Sequence, residues 1–152
     1  MDYQIDKQTW GRSLAERYPL LPATGKSFRD GRYRTMERDE AVRLYDEFHP
    51  WIRAILEPHC VYQWVQNKAD CDFWSRIFIA YVLIRNAMGH TELKPALAEI
   101  HFRLEPANPY SGHSICSFAD RDGLVWELDP QPNCGLFPMS HEQAATCYSF
   151  DA

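Results

Sequence analysis

Apolar residues recur at spacings of three and four between Asp39 and Ala87, then at a spacing of two from Ala98 to Asp129. That change of period, from the repeat of a helix to the repeat of a strand, constrains the fold more than any other feature of the chain. Val42, Tyr45, Phe48, Ile52 and Ile55 predict a helix over 39–56, bent or broken at Pro50, whose ring lacks an N–H and clashes with the preceding turn. Phe73, Trp74, Ile77, Phe78, Tyr81, Leu83 and Ile84 predict a second helix over 70–87, stopped near Gly89. A helix so apolar should be central and packed on more than one face. Alternation predicts strands at 98–104, 113–120 and 124–129, the last two joined through Asp120-Arg121-Asp122-Gly123, because Asp-Gly suits a positive-φ turn. Ser140-x-x-Gln143 is a capping-box pattern for one short helical turn. The expected class is α+β: N-terminal helices, with a central buried helix packed on an antiparallel β-sheet.

The 152 residues suit one domain over 1–152, with an N-terminal helical and loop region at 1–60 and a core at 61–139. Twenty-one aromatics supply enough bulk for a core without metal or disulfide staples. The net charge of −5 argues against nucleic-acid binding as the main function, yet residues 1–43 carry +2 and the remainder −7. The basic loop 26–34, with Lys26, Arg29, Arg32 and Arg34, is therefore the one place for an acidic partner, although charge runs are most often simply solvated. The longest apolar run, 78–84, is far short of the ~20 residues that cross a bilayer, so no membrane is expected. Residues 1–4 show no basic segment leading into an apolar one, and Cys60, Cys71, Cys116, Cys134 and Cys147 are odd in number and irregularly spaced. Reduced thiols in a cytoplasmic protein are the expectation.

Cys71 falls at the first turn of the predicted buried helix, where unpaired backbone N–H groups favour an anion. Thiols at such positions have more thiolate character, although Asp70 and Asp72 work against it here. His113 opens a predicted strand, and Asp129 closes the next one. A four-residue turn between them brings both to the same end of a hairpin, where a carboxylate can hold the second nitrogen of an imidazole. A structural zinc site from His113, Cys116, Cys134, His141 and Cys147 is disfavoured, because residues three apart on a strand face opposite sides. His49, His90 and His101 read as surface or satisfied core residues, and Trp51, Trp64, Trp74 and Trp126 as core.

Asp70-Cys71-Asp72, Gly112-His113 and Leu128-Asp129-Pro130-Gln131, in that order, resemble the papain-like and transglutaminase-like cysteine enzymes. The resemblance is closest to the calcium-dependent protease domain appended to a mushroom agglutinin and to related bacterial and phage proteins. It covers about residues 62–131. It implies Cys71 as nucleophile, His113 as general base and acid, Asp129 as the orienting carboxylate, and a glutamine before the cysteine as an oxyanion donor. Gln63 is favoured over Gln66 for that last role. The resemblance also implies calcium, but Phe73 stands where the pattern has a further acid; no other cofactor is expected.

The function expected on this basis is a cytoplasmic thiol hydrolase, peptidase or deamidase-like, acting on an amide bond of a protein or peptide through a Cys71-His113-Asp129 triad. The alternative is a catalytically silent phage or mobile-element effector that binds a host protein or nucleoprotein with the same fold.

Overall fold

The computed structural model describes residues 3–21, 26–27, 30–59, 70–89 and 91–152. Asp6 ends strand β1 (Gln4–Asp6) and opens helix α1 (Lys7–Arg17), its carboxylate accepting the backbone N–H groups of Gln8 and Thr9 at 2.8 and 2.9 Å. Those bonds satisfy two of the donors that every helix start leaves free. Strand β3 (Arg32–Arg34) lies antiparallel to β1, with Ile5 opposite Tyr33.

Helix α2 (Arg38–Leu56) runs through Pro50, so of the expected bend or break the break does not occur. Proline inside a helix costs about 3 kcal/mol. Phe48 and Ile52, either side of it, are fully buried, and Phe48 meets the rings of Trp74, Phe78 and Tyr81. Burying two such side chains returns about 3–6 kcal/mol, enough to hold the helix across the proline. A 3-10 turn, Glu57–His59, follows. Helix α3 (Cys71–Met88) begins at the cap Asp70 and ends at Gly89.

The main sheet has six strands in the order β2-β8-β4-β5-β6-β7. They are β2 (Lys26–Ser27), β4 (Leu97–Arg103), β5 (Gly112–Ala119), β6 (Val125–Asp129), β7 (Gly135–Leu136) and β8 (Ser149–Asp151). All neighbours are antiparallel except β2 and β8. The β5–β6 turn forms where expected, with Gly123 at φ +77°. Ser140 and Gln143 complete the capping box of the short helix α4 (His141–Ala144). The class is α+β, with helices packed against antiparallel strands.

Both faces of the central strands are covered. On one, Ala98, Ile100, Phe102 and Ile115 pack with Trp10, Leu14 and Tyr18 of the α1 region and with Ala144 of α4. On the other, Leu97, Cys116, Phe118 and Leu128 pack with Leu44, Phe48 and Ile52 of α2 and with Trp74, Phe78 and Val82 of α3. Helix α3 is thus wedged between α2 and the sheet, and its outer face leaves Ile84 and Met88 exposed. Trp74 is buried as expected, whereas Trp51 is 40% exposed at the edge of the α2–α3 contact. No described helix is long and apolar enough to cross a membrane.

Candidate thiol–imidazole site

The start of α3 is built by Asp70, which adopts an extended backbone and accepts the N–H of Phe73 on Oδ1 at 3.3 Å. Cys71 is consequently the first residue of the helix, and it is half-buried. Its Sγ lies 3.5 Å from Oδ1 of Asp72.

His113 is the second residue of β5 and faces Phe102 across the β4–β5 ladder. In the β5–β6 ladder Cys116 is opposite Leu128, and continuing that register puts Asp129 diagonal to His113 on the same face. The two side chains meet: Nε2 of His113 is 2.9 Å from Oδ2 of Asp129, and both are largely buried. Asp129 is itself held, its Oδ1 accepting the backbone N–H of Gln131 at 3.0 Å. A carboxylate so placed makes Nε2 the donor, and Cys71 is the second side chain that interacts with the His113 ring.

Burial between the rings of Phe102 and Phe137 works against a charge on His113, but the bonds to Asp129 and Cys71 outweigh it and raise its pKa to about 9. The other described thiols lie in different settings. Burial pushes Cys116 well above the usual thiol range, Cys147 up to about 12, and Cys134 upward as well. Cys71 alone among the described cysteines has an imidazole partner.

Gln63 lies outside the described residues, as do Cys60, Trp64 and His90. The basic loop is partly committed to the fold: Arg34 makes two bonds of 2.9 Å to the carboxylate of Glu40 and one of 3.1 Å to Asn86. Of its other positions, Arg32 is exposed and Arg29 lies outside the described residues.

Tyr148 and Glu99, which the sequence did not single out, and His101, expected to be a surface or satisfied core residue, also lie here. The ring of Tyr148 lies 5.9 Å from that of His101, and its hydroxyl pKa is raised by burial and by the charges of Asp72 and Cys71. Glu99 and His101 share one face of β4 and bring their ligand atoms within 4.8 Å of each other and of Asp72. The signal for them was the pattern Glu-x-His on a strand, where alternate residues point the same way. Calcium does not fit these residues. Asp70 is used as a helix cap, Phe73 is apolar, and the cluster offers an imidazole where calcium takes six to eight oxygens.

No protein-family model matches the chain, and no curated protein matches its sequence. Its fold is shared with solved structures. PSL1a in a complex with E64 aligns at a TM-score of 0.72 and 16% identity, over 97% of this chain and 51% of that one. A Polyporus squamosus lectin bound to the human-type influenza-binding epitope Neu5Aca2-6Galb1-4GlcNAc aligns at 0.70 and 15%, over 97% and 49%. The chain spans about half the length of either neighbour, and at such identity the likeness is one of fold.

These findings correct the family expectation. One of the two fold neighbours is named as a lectin and neither is named as a peptidase, so membership of the papain-like and transglutaminase-like cysteine enzymes is not upheld. The physical reason is that three short motifs specify a local arrangement of side chains and say little about ancestry. With the family go the thiol-hydrolase assignment on a protein or peptide amide, the phage-effector alternative, and the protein and host-protein partners.

Proposed function

We propose that Cys71, His113 and Asp129 form a covalent-nucleophile site, in which sulfur bonds to an electrophilic carbon of a small ligand. The observation that carries the reading is the 2.9 Å contact of His113 with Asp129, together with the interaction of the same ring with Cys71. In the step proposed, a sulfur electron pair forms the S–C bond while the electrophile's C–O bonding pair moves to oxygen. The proton held between Cys71 and His113 stays on the ring and then passes to that oxygen, while Asp129 stabilises the imidazolium. The Cys71 N–H at the helix start is assigned to the developing negative charge.

E64, the partner named for PSL1a, is an epoxide and serves as a direct probe. The expected result is one adduct, located at Cys71 by peptide mass spectrometry, that forms at least tenfold more slowly in His113→Ala. Adducts forming first at the exposed Cys134, or equally in both proteins, would contradict the reading.

A second reading, glycan binding, is favoured by the sialylated epitope on the second neighbour. It is tested by titrating this chain with that trisaccharide. Saturable binding that persists in Cys71→Ser supports a sugar site separate from the thiol, and no binding removes the reading.

A further inference from the structure

We infer that Asp72, Glu99 and His101 form a binding site for a divalent transition-metal ion of the zinc type. Nε2 of His101 lies 3.4 Å from Oε1 of Glu99 and 3.8 Å from Oδ1 of Asp72. Two donors each about 2.1 Å from a tetrahedral ion are about 3.4 Å apart, which the His101–Glu99 pair already matches, while Asp72, the exposed member, has to close in.

The donors come from two rigid elements. Glu99 and His101 alternate on β4, toward the helix α3 whose first turn carries Asp72. Each strand donor is also fixed from behind. Nδ1 of His101 is 2.7 Å from Oγ of Ser149, and a bond from Nδ1–H to that oxygen leaves the Nε2 lone pair for the ion. Ser114 donates to Oε1 of Glu99 at 2.8 Å, and Nε of Arg76 donates to Oε2 at 3.1 Å. Hydrogen-bonded supports of this kind set ligand orientation in metal sites. Two carboxylates against the one guanidinium leave a net negative charge that a divalent ion neutralises.

Access is open from the Asp72 side, where that side chain is 45% exposed. One nitrogen and two carboxylate oxygens match ions that take imidazole and oxygen together, and not calcium. The competing arrangement is a proton on Nε2 bridging the two carboxylates, with no metal affinity.

The test is calorimetric titration of the chelator-stripped protein with Zn2+, followed by competition with Ca2+. The expected result is one equivalent bound, with affinity lowered at least tenfold in His101→Ala and in Asp72→Asn, the latter a surface change that leaves the fold intact. Tenfold excess Ca2+ should not displace the ion. Binding should survive in Cys71→Ser, so failure of the thiol reading leaves this result standing. Absence of saturable binding, unchanged affinity in both variants, or ready displacement by Ca2+ would overturn the inference.

Discussion

Asp129 holds His113 from one strand over, Oδ2 to Nε2 at 2.9 Å, and the pair is largely shut off from solvent. Asp129 is held in turn by the backbone N–H of Gln131 at 3.0 Å, and the His113 ring also interacts with Cys71. The contact therefore ties the chemistry of the site to the register of the β5–β6 hairpin.

Stability should depend on pH through His113. Its folded pKa is raised from 6.5 to about 9, burial being outweighed by the bonds to Asp129 and Cys71. A raised folded pKa means that the contribution is fully present below about pH 6.5 and fades as pH climbs through about 9. Thermal melts of wild type and His113→Gln across this range should differ most at the acid end, by on the order of 3 kcal/mol, and converge in alkali. A gap that widens with pH would be the wrong sign.

Asp129 is expected to act by both charge and orientation. Asparagine at this position can still accept from Nε2, whereas alanine removes acceptor and charge together. Alkylation of Cys71 should therefore slow about tenfold in Asp129→Asn and further in Asp129→Ala. Site-resolved mass spectrometry with iodoacetamide reads both rates, and equal rates for the two variants would remove the orienting role.

Phe78 is fully buried on α3 and meets Phe48 of α2 edge-on at 5.3 Å. Its replacement by alanine should cost about 3–5 kcal/mol by denaturant titration, the usual price of a large cavity in a packed core. A loss below about 1 kcal/mol would mean that α3 is not clamped between α2 and the sheet.

Much of this architecture was legible in the chain. Helix α3 and strands β4 to β6 are long enough for their apolar period to show, and the Asp-Gly turn fixed the hairpin that brings His113 to Asp129. Strands β1, β2, β3, β7 and β8 have two or three residues each, too few for any period. Phe150 pairs with Ile100, a contact between distant segments that local pattern does not encode. Pro50 does not break the helix, because the packing of Phe48 and Ile52 on either side of it outweighs its local propensity. Family was misjudged because short motifs around Cys71, His113 and Asp129 specify side-chain placement, while the fold neighbours share only 15–16% of residues with the chain.

The most direct measurement is the relative rate of iodoacetamide alkylation at Cys71 and Cys134, resolved by peptide, near about pH 7. Cys134 is the more exposed thiol, and burial and Asp129 hold its pKa up. Cys71 should react first, by about tenfold or more, and should lose that lead in His113→Ala. Faster labelling of Cys134, or a Cys71 rate untouched by the loss of His113, would contradict the proposed pairing of sulfur and imidazole.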